Sequence, residues 1–157
     1  MSVKIIPLKQ EQAHIFWKKL CSFSGDVLEF PEEALRHFRN SWTEEAIAQA
    51  AQNHRHLLLS AWMNREMVGL LLGAPPEGGV GTIIWILVAK EFQHQGIGKS
   101  LFSEACKRYR EMGGHKVKLT VPSKETVEFY KKQGMQVEGF HENHWWHMDM
   151  WSMGKTL

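Results

Sequence analysis

The sequence predicts a single α/β domain, and three observations lead to that fold class. Apolar runs of strand length alternate with amphipathic helical stretches along the chain, without repeats or low-complexity tracts. An apolar run at 82–88 is followed by a glycine-rich turn and then by a helical pattern. The chain has 157 residues, of which 43% are hydrophobic, enough for one core but not for two. Residues 1–157 are therefore expected to form one domain.

The first half of the chain reads as one strand, three helices and a β-hairpin. The predicted strand lies at 3–8, the helices at 10–20, 31–40 and 43–52, and the hairpin strands at 56–63 and 67–74. Thr43 is a typical N-cap for the third helix, which together with the second is expected to form a lid. The hairpin is expected to turn at 64–66, and the prolines and glycines of 75–79 to form the next turn.

The second half alternates strands with helices and ends in two strands. The strands are predicted at 81–88, 116–121, 135–141 and 145–153, and the helices at 97–112 and 124–133. Apolar residues recur at helical spacing from Ile97 to Met112, and Gly113-Gly114 supplies a stop signal for that helix.

The segment Gln93-His94-Gln95-Gly96-Ile97-Gly98-Lys99-Ser100 carries the clearest functional signal. A turn between a strand and a helix directs several unpaired backbone N–H groups at one point, with the positive end of the helix dipole behind them. Gly96 and Gly98 allow the backbone to approach a phosphate closely, because neither has a Cβ. The segment is therefore interpreted as a cradle for a pyrophosphate.

Two familiar phosphate motifs fit this segment poorly. A dinucleotide fingerprint needs a third glycine where Leu101 stands, and an acidic residue about twenty positions later, where the chain reads 117–121 without one. The Walker A pattern is matched at Gly98-Lys99-Ser100, but its first glycine falls on Gln93. No later strand ends in an aspartate that could hold magnesium.

A third motif, Q/R-x-x-G-x-G/A, fits at Gln93, Gly96 and Gly98, and the chain resembles the GCN5-related N-acetyltransferases (GNAT) in this segment. A second stretch, 123–135, is similar to the family's N-x-x-A-x-x-F-Y-x-x-x-G-F segment. The resemblance implies a central mixed β-sheet that is splayed at the acetyl-CoA site between strands 81–88 and 116–121, with flanking helices. The cofactor-binding core would span about 81–135.

The resemblance also implies the roles of individual residues toward acetyl-CoA, the expected cosubstrate. The backbone of Ile86, Leu87 and Val88 would align the pantetheine arm, with the Val88 N–H as oxyanion donor. The pyrophosphate would be bound by the cradle, which comprises Gln93, His94, Gln95, Gly96, Ile97, Gly98, Lys99 and Ser100. Ser123 stands where the family usually has an asparagine that contacts the cofactor.

Catalysis requires a group that protonates the departing thiolate and a base that deprotonates the amine. Tyr130 matches the family's general acid, and a phenol remains protonated at neutral pH; packing beside Phe129 is the alternative role. For the base, Thr82 and Thr120 occupy the places where many members carry a glutamate. The proton would then pass either to a water relay or to a group from another element, for which the candidates are Glu142, His144, Asp26 and Glu29.

The expected activity is transfer of acetyl from acetyl-CoA to a primary amine by direct attack in a ternary complex, since Cys21 and Cys106 lie outside the matched positions. The alternative is a non-catalytic CoA-binding or regulatory domain of the same fold. The acceptor is either a small amine or a protein amino group. Aromatic residues and acids near the predicted lid would suit a cationic acceptor: Phe23, Trp42, Asp26, Glu29, Glu32 and Glu33.

Composition narrows the partners and the location. A net charge of +2 without a long basic block gives no support for binding to nucleic acid or to a membrane. Two isolated cysteines and an N-terminus without the apolar core of a signal peptide indicate a cytoplasmic protein. No metal site is expected from His141, His144 and His147, because residues three apart on a strand point to opposite faces. A homodimer is compatible with the sequence.

Overall fold

In a computed structural model that describes residues 2–157, the chain forms a seven-stranded sheet in the order β1-β2-β3-β4-β5-β7-β6. The strands are β1 (Lys4–Pro7), β2 (Leu57–Met63), β3 (Glu66–Glu77), β4 (Val80–Val88), β5 (Lys116–Val121), β6 (Gln136–His141) and β7 (Met150–Thr156). The helices are α1 (Ala13–Val27), α2 (Glu32–Ser41), α3 (Glu44–Asn53), α4 (Ile97–Glu111) and α5 (Lys124–Lys132). Only β4 and β5 are parallel, so the sheet is mixed, as expected.

Two helical layers cover the sheet, because its central strands are apolar on both faces. Helices α1 and α3 bury Phe16, Leu20 and Ile47 against one face, in a core that also holds Trp85 and Leu87. Helices α4 and α5 bury Leu101, Tyr109 and Tyr130, among other side chains, against the opposite face. The long apolar runs of β2 and β3 are buried almost throughout, as is typical of strands covered on both sides.

The sheet opens between β4 and β5. These strands pair only from Val80 to Thr82 on β4 and from Lys116 to Lys118 on β5, and beyond that point they diverge. The register between β3 and β4 shifts by one residue at Ile84, since Leu72 pairs with Trp85 and Gly73 with Ile83. A β-bulge bends the strand that carries it, so this extra residue bends β4 away from β5. The predicted splay between 81–88 and 116–121 is confirmed.

Tyr109 holds the paired part of β4 against α4. Its buried hydroxyl lies 2.9 Å from the carbonyl oxygen of Ala74 and 3.0 Å from that of Thr82. Gly81 is required next to this ring, because a Cβ on Gly81 would lie 2.5 Å from Tyr109 Cδ1. The base of the splay is therefore fixed by a polar contact within an apolar core.

Two predicted boundaries were wrong. Residues 75–77 belong to β3, and the turn to β4 is only Gly78-Gly79, with φ of 58° and 80°. Pro75 and Pro76 are tolerated because they lie at a register shift, where a missing N–H breaks no ladder bond. The strand predicted at 145–153 begins only at Met150, because Trp146 and His147 adopt left-handed conformations with φ of 51° and 63°.

The other elements agree with the sequence prediction to within a few residues, with one larger difference. The helix predicted at 10–20 begins with a short 3-10 turn and continues to Val27. Thr43 caps α3, since its hydroxyl oxygen accepts a hydrogen bond from the Ala46 N–H at 3.2 Å. Within residues 2–157, no helix combines the length and the apolarity needed to cross a membrane.

Candidate active site

The cradle lies between the end of β4 and the start of α4. His94 and Gly96 adopt left-handed conformations, with φ of 61° and 82°, and so turn the chain sharply into the helix. Left-handed backbone favours glycine, and no atom lies within 4 Å of the place where a Cβ on Gly96 would stand. The space in front of this turn is therefore open to a ligand.

The backbone N–H groups at the start of α4 have no helical partner. Ile97, Gly98 and Lys99 form its first turn, and the Ser100 N–H is the first to bond within the helix, to the Gly96 carbonyl at 3.0 Å. The N-cap is a glycine, and no side chain caps this helix in the part of the chain that the structure describes. Several donors and the positive end of the helix dipole thus remain available to an anion.

Gln93 connects the cradle to β4. Its side-chain Nε2 donates a hydrogen bond to the Val88 carbonyl oxygen at 3.3 Å. The Ala89 N–H donates to the Val68 carbonyl on β3 at 2.9 Å. Because N–H groups alternate in direction along an extended strand, that of Val88 points to the opposite side, where β5 has diverged. This is the position expected of the predicted oxyanion donor.

Gly98 brings α4, β4 and α5 together. A Cβ on Gly98 would lie 3.5 Å from Cζ of Phe129 and 3.9 Å from Cγ2 of Val88. The ring centroid of Phe129 lies 4.9 Å from that of Tyr130, the predicted general acid. Four of the predicted positions, Val88, Gln93, Gly98 and Tyr130, therefore lie around one point of the fold.

Tyr130 is buried on the α4 side of the sheet. Its ring packs edge-on against Phe102, with 5.6 Å between centroids. Burial raises the pKa of this phenol, because the charged form would lose its hydration. The hydroxyl group is thus protonated at neutral pH, and the ring packs in the core.

Ser123 has a structural contact of its own. Its hydroxyl oxygen accepts a hydrogen bond from the Thr126 N–H at 3.2 Å and lies 2.8 Å from the Thr126 hydroxyl. It therefore caps α5, the helix that carries Tyr130. Its expected contact with a cofactor remains a prediction.

A cavity of about 450 Å³ lies between the diverging strands. Thr82 and Thr120, the two positions where the resembled family has glutamates, both line it. The other lining residues are Phe30, Phe38, Ile83, Ile84, Trp85, Lys118, Leu119, Glu138, His144, Trp145, Met150, Ser152 and Met153. The lining is mainly apolar with a few polar groups, which is typical of a small-molecule site.

Four aromatic rings form the apolar side of this cavity. Phe38 packs against Trp85 with 4.1 Å between centroids and against Trp145 with 4.9 Å. Phe30 contacts the same two indoles at 5.8 Å and 5.7 Å. The sequence analysis missed this cluster, because its members come from α2 and its preceding loop, from β4, and from the turn before β7.

The predicted base candidates separate in the structure. His144 lines the cavity, whereas Glu142, Asp26 and Glu29 do not. Glu138 also lines it and was missed, because it lies on β6, outside the matched motifs. The carboxylate of Glu138 forms an ion pair with the ammonium of Lys116 at 2.5 Å. His144 is the base candidate that the cavity contains.

The acceptor pocket expected around Phe23 and Trp42 is not at those residues. Phe23, on α1, is buried in the core between the helices and the sheet. Trp42 packs edge-on against His56, away from the cavity. The four acids at 26, 29, 32 and 33 lie outside the cavity lining as well. Helix α3 is part of the core layer rather than of a lid, so only α2 borders the cavity.

The three histidines near the C-terminus have separate partners. His141 Nε2 lies 3.1 Å from the Ser152 hydroxyl, and His147 Nδ1 lies 3.1 Å from Asn143 Oδ1. The His144 ring packs against that of His141, with 4.9 Å between centroids. Across residues 2–157, no three His, Cys, Asp or Glu side chains are arranged as a metal site.

Comparison with known proteins identifies related sequences and structures. The sequence model of the acetyltransferase (GNAT) family matches residues 14–135, which include the cradle, Tyr130 and the two strands β4 and β5 between which the cavity lies. A search among curated proteins found no match.

Solved structures share the fold over nearly the whole chain. A PaiA N-acetyltransferase from Thermoplasma acidophilum, crystallised with coenzyme A, is 21% identical, with a TM-score of 0.77 and 100% of both chains covered. A GNAT acetyltransferase from Streptococcus pneumoniae is 20% identical, with a TM-score of 0.80 and 99% of each chain covered. The ribosomal-protein-S18-alanine N-acetyltransferase from Escherichia coli is 17% identical, with a TM-score of 0.76; 99% of this chain and 94% of that chain are covered. At these identities the likeness concerns the fold.

Proposed function

Because this chain belongs to the GNAT family of acetyltransferases, whose cosubstrate is acetyl-CoA, we propose that it transfers an acetyl group from acetyl-CoA to a primary amine. One observation carries the proposal: β4 and β5 part after three paired residues, beside a helix N-terminus whose N–H groups are free. An anion site and an apolar cavity thereby meet at the end of β4. We propose that the whole chain acts as one catalytic domain.

The cradle fits a pyrophosphate. The N–H groups from His94 to Lys99 surround an open turn, and Gly96 leaves space in front of it. The Ile97 side chain is buried and anchors the turn to the core, so that the backbone N–H groups of the cradle face away from the core. The Gln93 side chain holds the cradle to Val88 at the end of β4.

The thioester of acetyl-CoA supplies the activated acetyl group, and the protein supplies the groups that polarise it and move protons. The N–H of Val88 donates a hydrogen bond to the thioester oxygen as negative charge develops there. The amine nitrogen forms the new C–N bond while the C–S bond breaks, and Tyr130 gives its proton to the departing sulfur. The raised pKa of Tyr130 means that the phenol carries its proton at neutral pH.

His144 is proposed to accept the proton of the attacking amine, directly or through a water molecule. It lines the cavity between the parted strands, and imidazole is the side chain best suited to exchanging protons near neutral pH. With Thr82 and Thr120 at the places of the family's glutamates, the base in this chain comes from the turn before β7 rather than from β4 or β5.

Direct transfer is proposed rather than transfer through a cysteine. Burial raises the pKa of both thiols, Cys21 and Cys106, and thus disfavours the thiolate that a covalent route requires. Neither cysteine lines the cavity. A ternary complex of protein, acetyl-CoA and amine therefore remains as the route.

The second candidate is a CoA-binding domain without catalysis, which the absence of the two strand glutamates favours. Thermal unfolding with acetyl-CoA, with ATP plus magnesium and NAD as controls, tests the cradle. A ligand at a hundred times its Kd adds about 2.7 kcal/mol. Stabilisation by acetyl-CoA alone supports the cradle, and CoA release with any amine then separates an enzyme from a binding domain. Stabilisation by ATP alone would contradict both.

Location and assembly rest on the sequence. A cytoplasmic location remains a prediction from the two isolated cysteines. The acceptor is proposed to be a small amine or a protein amino group, and a homodimer remains a prediction.

A further inference from the structure

Resting on the proposed function, we propose that the acceptor is a small monoamine with an aromatic or large apolar body, and not a polyamine or another polycation. The same cavity between β4 and β5 would bind it. The inference comes from the residues that form the walls of the cavity, their charges and the available volume.

The walls of the cavity offer an extended apolar surface. Phe30, Phe38, Trp85 and Trp145 form a ring cluster with centroid distances of 4.1 to 5.8 Å. Because these rings contact one another, they form one continuous wall and leave no cage around a cation between them. A flat apolar group that packs on this wall leaves water and gains edge-to-face contacts.

The charges in the cavity disfavour a polycation. Glu138 is the only carboxylate in the lining, and the ammonium of Lys116 already neutralises it. Lys118 also lines the cavity, at the last β4–β5 pair, and no ion pair involves it among residues 2–157. A substrate with several ammonium groups would lose hydration here and meet a cation instead of carboxylates.

The volume favours a small acceptor. The cavity measures about 450 Å³, at the lower end of the range for ligand pockets, roughly 300–1,000 Å³. Part of it lies between the parted strands, where the acetyl group has to enter. The amine must reach that point while its body lies against the ring cluster, so a single amine at the end of a short apolar body fits.

The test compares matched amines with the full-length protein. Phenethylamine, propylamine and spermidine are assayed by CoA release at saturating acetyl-CoA, and their binding to the CoA-loaded protein is measured by calorimetry. Phenethylamine is expected to exceed propylamine in kcat/KM by about tenfold, which reports the phenyl ring alone. Phenethylamine is also expected to exceed spermidine in kcat/KM.

Two variants and their controls localise the effect. Phe38→Leu keeps an apolar residue but removes a ring, and is expected to lower the preference for phenethylamine over propylamine about fivefold; Phe140→Leu, at an exposed ring outside the cavity, is the control. Lys118→Glu is expected to raise kcat/KM for spermidine about tenfold. Lys4→Glu, an exposed lysine on the far edge strand β1, is its control.

The outcomes separate this inference from the proposed function. Preference for phenethylamine that weakens in Phe38→Leu supports the inference, and the calorimetry gives the same ranking even if Phe38→Leu unfolds. Acetylation of spermidine in preference to phenethylamine overturns the inference and leaves the acetyltransferase standing. If the protein binds CoA but none of the amines leads to CoA release, the proposed function is overturned, and this inference with it.

Discussion

The side-chain amide of Gln93 donates a hydrogen bond to the main-chain carbonyl of Val88 at 3.3 Å, and this bond ties the cradle to the strand that forms the cavity. The bond thereby links the proposed phosphate-binding end of the site to its proposed reacting end. Because Val88 also presents its N–H toward the gap between the strands, a displacement of Gln93 is expected to reach both ends.

Replacement of Gln93 by leucine tests this link. We expect a loss of about 1 kcal/mol in unfolding free energy and a several-fold weaker affinity for acetyl-CoA, measured by calorimetry. Gln133→Leu is the matched control, since Gln133 donates the same kind of bond, at 3.3 Å, to the Phe129 carbonyl at the end of α5. Equal acetyl-CoA affinity in the two variants would contradict the role of Gln93.

Gly98→Ala is expected to weaken the binding of acetyl-CoA without harming the fold. The new Cβ would make ordinary contacts with Phe129 and Val88, and alanine in a helix gains roughly 0.5–1 kcal/mol over glycine. The methyl group would, however, stand at the cradle, and about tenfold weaker binding is expected. Gly25→Ala in α1 is the control, with only Arg39 within 4 Å of its Cβ. If Gly98→Ala bound acetyl-CoA as tightly as the wild type, the assignment of Gly98 to the cradle would be wrong.

Tyr130→Phe is expected to lower kcat about a hundredfold with acetyl-CoA affinity retained, because only the proton donor is lost. Tyr109→Phe, at the other tyrosine of the chain, is expected to lower the stability of the fold rather than kcat. It would leave the carbonyls of Ala74 and Thr82 without their donor, costing about 1–3 kcal/mol of stability, with kcat retained. An unchanged kcat in Tyr130→Phe would end the assignment of the general acid.

The raised pKa values of the two tyrosines predict how the free energy of unfolding depends on pH. Burial raises the pKa of both phenols in the folded chain above the ordinary value near 10. The folded state therefore binds more protons above pH ~10, so the stability present below that pH is lost as pH rises. Each phenol contributes up to about 1.4 kcal/mol per pH unit. Denaturant unfolding at pH 9 to 11 should show a shallower decline in each Tyr→Phe variant than in the wild type; parallel curves would refute this.

His144→Gln is expected to lower kcat/KM about a hundredfold at neutral pH, because the proposed proton acceptor is lost. His147→Gln is the control, because His147 pairs with Asn143 and lies outside the cavity lining. If His144→Gln retained the wild-type kcat/KM, the amine proton would have to leave through water or through Glu138, and Glu138→Gln would be measured next.

Much of the fold could be predicted from the sequence because its signals are local. Helical periodicity predicted a helix at 97–112, one residue longer than α4, and the pattern at 116–121 predicted β5 as observed. Thr43 acts as the predicted cap for the same reason, since an N-cap depends on the next three residues. The errors at Pro75, Pro76 and Trp146 arose where a bulge or a left-handed conformation overrides local preference.

The sequence by itself determined the α/β class, the order of the elements, the glycine cradle and the resemblance that identifies the family, because each depends on residue types at short spacing. Only the tertiary structure decided what surrounds the cavity. The ring cluster unites residues as far apart as Phe30 and Trp145, Glu138 meets Lys116 across strands, and Phe23 turns into the core. These placements, like the one-residue bulge at Ile84 and the parting of β4 from β5, are outcomes of long-range packing that no short stretch of sequence encodes.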